Sequence, residues 1–204
     1  DSGVNVMVYK LEDTSKVEKL FDGWQETLIY SCLQKVMGKV FVADLESPVS
    51  VFAFVGILGF FAGAPDEELV KNKPEGFVIL MPQNEEWAKL IESVYPDARK
   101  VTRFAIRKDT KFDVEKLKKN LEILPDGYEL KSIDGEIYDL CLENPVTADF
   151  VAAFESKEKY LEDGRGAVIL KDGKIVSGAS SYTRYKEGIE IEVDTIESER
   201  RKQI

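Results

Sequence analysis

Residues Ile189-Glu-Ile-Glu-Val-Asp-Thr195 alternate apolar and polar at every step, which is the period of a strand. Ile189, Ile191, Val193 and Thr195 fall on one face, and Glu190, Glu192 and Asp194 on the other. Elsewhere the pattern changes period. Val17, Leu20, Phe21, Trp24, Leu28 and Cys32 recur at helical spacing, with Thr14 or Ser15 placed to cap the helix and Gly38 to end it. The apolar run Val49–Ala64 is broken by Gly56, Gly59 and Gly63 and is shorter than the roughly 20 residues of a membrane helix. It follows Lys39-Val-Phe-Val-Ala-Asp-Leu45 and the turn Glu46-Ser47-Pro48, which predicts a hairpin and a further buried strand. Ala62-Gly-Ala-Pro65 then leads into a short helix over Asp66–Val70 with an acidic first turn. Gly76–Met81 reads as a buried strand, and Asn84 caps a helix over 85–94 whose face is Trp87, Leu90, Ile91 and Val94. Lys100–Arg107 alternates again as a strand.

Residues Asp109–Gly127 form a junction, with a short helix over 112–121 and the turn Leu124-Pro-Asp-Gly127. Beyond it the order is a strand over 128–133, helices over 135–144 and 147–163, then a hairpin of 167–170 and 175–185. Its connection, Lys171-Asp-Gly-Lys174, carries the Asp-Gly pair of a type I′ turn, in which both central residues need positive φ. Gly188 turns the chain into the final strand. Two α/β domains are expected, 1–120 and 126–204. The first reads as a diverged copy, because Val49–Pro65 followed by an acidic helix start echoes the strand-to-helix turn after Thr195.

Charge and composition narrow the chemistry. A net charge of −10 argues against nucleic acid, whose phosphates need a basic partner surface. Histidine is absent, so Ser–His–Asp and Cys–His sites and His-containing zinc sites are excluded. Cys32 and Cys141 sit alone in apolar patterns and read as reduced core thiols of a cytoplasmic protein. Trp24 and Trp87 read as core. Ser177, Ser180, Ser181 and Tyr182 either line an acceptor pocket or are strand hydroxyls with internal partners. Arg200, Arg201 and Lys202 arrive where a helix should begin, and cations beside free N–H groups make a phosphate site. The plainer alternatives are a solvated basic run for these three and a solvated strand face for the carboxylates.

The order of elements, with Pro125-Asp-Gly-Tyr128, Asp172-Gly-Lys-Ile-Val-Ser177 and Ile189–Thr195 before Arg200-Arg-Lys, resembles the GNAT superfamily of acetyl-CoA-dependent N-acetyltransferases. More narrowly, it resembles the members grouped with the zwittermicin A resistance protein. That resemblance implies a mixed α/β fold with a mainly antiparallel sheet, GNAT-like, truncated at the C-terminus and preceded by a second α/β domain. In the family, the loop after the fourth strand reads Arg or Gln, two spacers, Gly, one spacer, then Gly or Ala. Arg200 matches the first position and Arg201 and Lys202 the spacers, while Gln203 stands where glycine is usual. Glu197 replaces a proline common in that turn.

The resemblance further implies acetyl-CoA as cosubstrate, its pantetheine arm along Val193, Asp194 and Thr195 and its pyrophosphate at Arg200, Arg201, Lys202 and Gln203. The acceptor is an amine of a small molecule, an antibiotic among the candidates, with no nucleic acid and no membrane as partner and a homodimer left open. A carboxylate serves as base, and Glu192 and Glu190 are the candidates, about 6.6 Å apart on one face. A helix after Arg200 and strands beyond it are expected to complete the cofactor site, so a chain ending at Ile204 is expected neither to bind acetyl-CoA nor to turn over. The other functional reading is a degenerate GNAT-like protein that binds or sequesters a ligand without catalysis.

Overall fold

A computed structural model describes residues 7–106, 111–121 and 124–202. Its strands form two sheets that share no strand. In the first, β1 (Tyr9–Lys10), β2 (Lys39–Val42), β3 (Ser50–Val55), β4 (Leu58–Gly63) and β5 (Ile79–Pro82) lie in chain order, antiparallel except for the parallel pair β4–β5. In the second, β6 (Tyr128–Ser132), β7 (Gly166–Lys171), β8 (Lys174–Tyr185) and β9 (Gly188–Thr195) lie in chain order and are antiparallel throughout. Helices α1 (Thr27–Leu33), α2 (Glu67–Lys71), α3 (Glu85–Val94) and α4 (Val114–Leu121) precede β6, and α5 (Gly135–Leu142), α6 (Pro145–Ala148) and α7 (Lys157–Asp163) lie between β6 and β7. The class is mixed α/β with mainly antiparallel sheets, as the pattern predicts.

The run 49–64 folds as the hairpin β3–β4, closed at Gly56 with φ of 61°. Both of its faces are covered, which is why it reads as continuous apolar sequence and not as alternation. Val51, Ala53, Val55 and Phe60 pack on Val17, Leu28, Ile29 and Cys32. Phe52 and Phe61 stack at 4.4 Å on the opposite face, and Phe61 stacks on Trp87 at 5.0 Å. Asn84 caps α3 as expected, its side chain accepting the Trp87 N–H at 3.1 Å. The Asp172 and Gly173 φ angles of 50° and 74° are those the β7–β8 turn demands.

Four predicted elements differ. The helix expected over 14–38 breaks into 3₁₀ turns at Thr14–Lys16 and Glu18–Phe21, a left-handed Gly23 (φ 81°) and α1. Thr14 is buried and donates to the Leu33 carbonyl at 2.6 Å, and Asp13 takes the cap, but the apolar stripe still reaches one core. The helix expected over 147–163 divides into α6 and α7, with Ser156 capping α7. Residues 100–106 form no strand and leave Val101, Phe104 and Ile106 exposed; Arg107 lies outside the described residues. The strand expected from Gly76 begins only at Ile79 and is half-buried, as suits an edge.

Cys32 belongs to the core of the first sheet and Cys141 to that of the second. Both are free and buried, and burial pushes their thiols up to about 12 and about 11. Among the described residues, no helix is long and apolar enough to cross a membrane.

Candidate functional site

β9 alternates as its sequence requires, but its carboxylate face is the one turned inward. Glu190, Glu192 and Asp194 are half-buried, whereas Ile191 and Val193 are 62% and 65% exposed. Alternation sorts residues onto two faces without saying which one is covered. The neighbours decide: Glu190 pairs across with buried Thr183, Glu192 with buried Ser180 and Asp194 with Gly178. Hydroxyls tolerate a carboxylate beside them where an aliphatic layer would not. The Tyr160 hydroxyl bonds Ser180 Oγ at 2.8 Å, and Phe150 sits over Gly178, where a Cβ would come within 2.7 Å of its ring. The acidic face of β9 therefore looks toward the side carrying α6 and α7.

A β-bulge shifts the β8–β9 register. Ser181 pairs with Ile191 and Thr183 with Glu190, which leaves Tyr182 as the extra residue. Bulges re-aim side chains, and this one sends Tyr182 to the first sheet, where its hydroxyl accepts the Ile57 N–H at 2.9 Å. A Cβ on Gly56 would meet that hydroxyl at 2.2 Å, so the hairpin glycine makes the contact possible. α1 adds further ties: Thr27 Oγ1 donates to Glu190 Oε2 and Ser31 Oγ to the Arg184 carbonyl, both at 2.5 Å. Gln34 Nε2 donates to Glu187 at 2.9 Å. Glu190 is thereby fastened to α1.

The Glu192 carboxylate has no hydrogen bond or ion pair with any described residue. Burial pushes its carboxyl above the usual range, and the like charges of Asp149 and Asp194 add to the shift. Burial likewise raises the Tyr182 phenol, which stays protonated at neutral pH. A carboxylate held this way gains from any N–H or cation brought to it. Ser177, Ser180 and Ser181 are buried strand hydroxyls with internal partners, and Trp24 and Trp87 pack in the core.

After β9 the chain leaves through Ile196, whose N–H donates to the Val176 carbonyl at 2.9 Å, into a 3₁₀ turn over Glu197–Glu199. Arg200 folds back: its Nε donates to the Thr195 carbonyl at 2.9 Å, and Nη2 lies 3.5 Å from Asp194 Oδ1. That same Asp194 oxygen accepts the Thr195 N–H at 2.6 Å. Arg201 is left-handed, with φ of 65°, and has no ion pair among the described residues. The helix expected at Arg200 therefore does not start within 200–202, and Gln203 lies outside the described residues. Lys202 pairs with Glu199 at 3.0 Å.

Glu199 was not legible as a site residue, nor were Asp149 and Thr27; each sits outside any periodic pattern. Glu199 is 6% exposed. It accepts from the Tyr128 hydroxyl at 2.5 Å and from Lys171 Nζ at 3.1 Å. The Tyr128 hydrogen bond, then Lys202 and Lys171, pull its carboxyl down to about 2. A cleft of ≈ 400 Å³ opens elsewhere, lined by Met37, Lys39, Phe54, Gly56, Phe154 and Lys159 among others, and no β9 carboxylate lines it. No three His, Cys, Asp or Glu side chains among the described residues are grouped to hold a metal.

Comparison with known proteins agrees with the fold. The crystal structure of a GCN5-related N-acetyltransferase-like protein from Streptococcus suis 89/1591 matches 94% of this chain and 79% of that one, with TM-score 0.87 and 43% identity. No curated protein matches. A family model for GNAT acetyltransferases matches residues 18–204, nearly the whole length, and on this ground the chain belongs to the GNAT acetyltransferase family.

Proposed function

We propose that the protein is an acetyl-CoA-dependent N-acetyltransferase for an amine of a small molecule, with Glu192 as the general base. One observation carries the assignment: Glu192 is half-buried, unbonded and raised in pKa on the strand that leads into the cationic turn. The end of β9 suits the cosubstrate. As an edge strand it presents backbone groups along Val193, Asp194 and Thr195 to the amides of a pantetheine arm. Arg200, Arg201 and Lys202 bring cations to the position an anionic pyrophosphate needs. Acetyl-CoA supplies the thioester-activated acetyl group. Asp149 and Asp194 draw a cationic amine inward, and Glu192 takes one proton from it to free the nitrogen lone pair. The nitrogen then attacks the thioester carbonyl, the C–S bond breaks, and the departing CoA thiolate takes up the second proton that the nitrogen sheds. Glu190, held by Thr27, keeps β9 in place.

The same proposal takes residues 1–120 and 126–204 as two domains, the first a diverged copy. Its support is the shared order of four successive antiparallel strands in the two sheets. The resemblance to the zwittermicin A resistance type favours an antibiotic amine as the acceptor and the cytoplasm as the location. Glu192→Gln in the full-length protein tests the base: turnover should fall about 10²-fold with acetyl-CoA affinity nearly unchanged. Wild-type turnover, with an unaltered acidic limb of the pH profile, would remove Glu192 from the reaction.

A second reading is favoured by two contacts at Thr195. Asp194 and Arg200 already occupy the N–H and carbonyl of Thr195, which a pantetheine amide would have to displace. A protein that keeps those contacts closed binds a ligand without acyl transfer. Calorimetry with acetyl-CoA separates the two, since heat of binding without turnover over a panel of amines supports the second.

A further inference from the structure

Glu199 is the one charged side chain among the buried described residues, and it stands in a short turn near an otherwise exposed, highly charged segment. Burying a carboxylate is costly unless hydrogen bonds and opposite charge replace its water. Here they do. Tyr128 Oη donates at 2.5 Å to one carboxylate oxygen, and Lys171 and Lys202 reach the other at 3.1 Å and 3.0 Å. Lys171 also donates to the Tyr128 hydroxyl at 3.2 Å and lies 5.0 Å above its ring. Tyr128 opens β6 and Lys171 closes β7, paired partners at the far side of the sheet from β9. The network therefore straps the turn that follows β9 across the sheet to its opposite edge.

The strap changes what each cation of the turn can do. Lys202 is held by Glu199, and Arg200 by Asp194 and Thr195, on either side of Arg201. Arg201 alone of the three has no ion pair among the described residues, and its left-handed backbone, with φ of 65°, lies between two tethered neighbours. An anion meeting this turn finds one free guanidinium whose backbone is already ordered, so little conformational freedom is lost on binding.

We infer that Glu199 is a positioning residue for anion binding: through Tyr128, Lys171 and Lys202 it fixes the turn after β9 so that Arg201 faces the phosphates of the cosubstrate. The inference rests on the acetyl-CoA assignment above. Its test compares acetyl-CoA with S-acetylpantetheine, a donor that lacks the nucleotide and its phosphates, in the full-length protein. Glu199→Gln should raise KM for acetyl-CoA about tenfold, the scale of a lost charge-assisted contact, and leave kcat and the constants for S-acetylpantetheine unchanged. Tyr128→Phe, which keeps the ring and removes one hydrogen bond, should move KM the same way by about threefold. Equal losses with both donors, or no loss with either, overturn the positioning role, because a merely structural carboxylate would not discriminate between them. If Glu199→Gln does not fold, Tyr128→Phe decides by the same criterion. Failure of the wild-type protein to bind acetyl-CoA is a different result: it removes the cosubstrate assignment itself, and the inference with it.

Discussion

The turn after the fourth strand of the first sheet is sealed by a neighbouring strand and helix, whereas the turn after the fourth strand of the second is held by its own side chains and its own sheet. After β4, the Gly63 N–H is taken by the Gln83 side chain at 3.0 Å and the Gly63 carbonyl by the Trp87 indole at 2.8 Å. The Ala64 N–H is taken by the Val49 carbonyl at 2.8 Å. Asp66, Glu67 and Glu68 then set negative charge at the start of α2, and β5 closes the edge of β4 by parallel pairing. After β9 there is no such partner strand among the described residues, and the acidic start at Glu197 and Glu199 runs on into Arg200, Arg201 and Lys202. Two sheets with the same order of antiparallel strands thus both open the following turn with carboxylates, and only the second continues into three consecutive cations beside an edge strand. Strand order alone does not make an anion site; the sign of the local charge and the access to it do.

The comparison can be broken most decisively at Gly63. Its φ is 80°, and a Cβ would lie 2.1 Å from the Val49 carbonyl oxygen. Gly63→Ala should cost about 3 kcal/mol in denaturant unfolding, from backbone strain plus overpacking. A tolerated alanine would mean the first turn is not sealed. Next in size is Glu192→Gln, with its loss of about 10²-fold, equivalent to about 2.7 kcal/mol of transition-state stabilisation. The same variant should raise Tm near neutral pH. A carboxyl whose folded pKa is raised binds its proton more readily folded than unfolded, so its contribution to stability falls as pH rises through that value. An amide removes that penalty. A drop in both Tm and turnover would make Glu192 structural.

Arg201→Gln should act on the turn after β9 alone, raising KM for acetyl-CoA about tenfold, no less than Glu199→Gln, which works through it, without changing the unfolding midpoint. The acid limb of stability sharpens the contrast further. Glu199 is lowered from 4.5 to about 2, so its stabilising contribution is complete above 4.5 and is lost as pH falls toward 2. Acid unfolding of Glu199→Gln should be flatter across that window than wild type.

Much of this was legible in the sequence. The Asn84 cap, the Asp172-Gly173 turn and the strand over 189–195 rest on local rules, and each formed where its residues demanded. Local rules failed where a tertiary partner competed. Gly23 and the Thr14–Leu33 bond broke a helix whose apolar stripe is intact, and 100–106 alternates yet pairs with no strand. The candidate site was half visible. The period placed Glu190, Glu192 and Asp194 together but could not tell that their face turns inward, because that depends on Thr183, Ser180 and Gly178 in another strand. Nor could it separate Glu190, bonded to a threonine far away in the chain, from Glu192, which is not.

The two cysteines supply a way to watch the molecule open. Cys32 and Cys141 lie in different cores, and thiols raised to about 12 and about 11 are almost wholly unionised near neutral pH. A thiol-specific reagent can reach neither until the surrounding core lets go. Labelling each single-cysteine variant over time therefore reports the opening free energy of one sheet at a time. Equal protection would show that the contacts of Tyr182, Thr27 and Ser31 make the chain unfold as one; unequal protection would give the order in which its halves come apart.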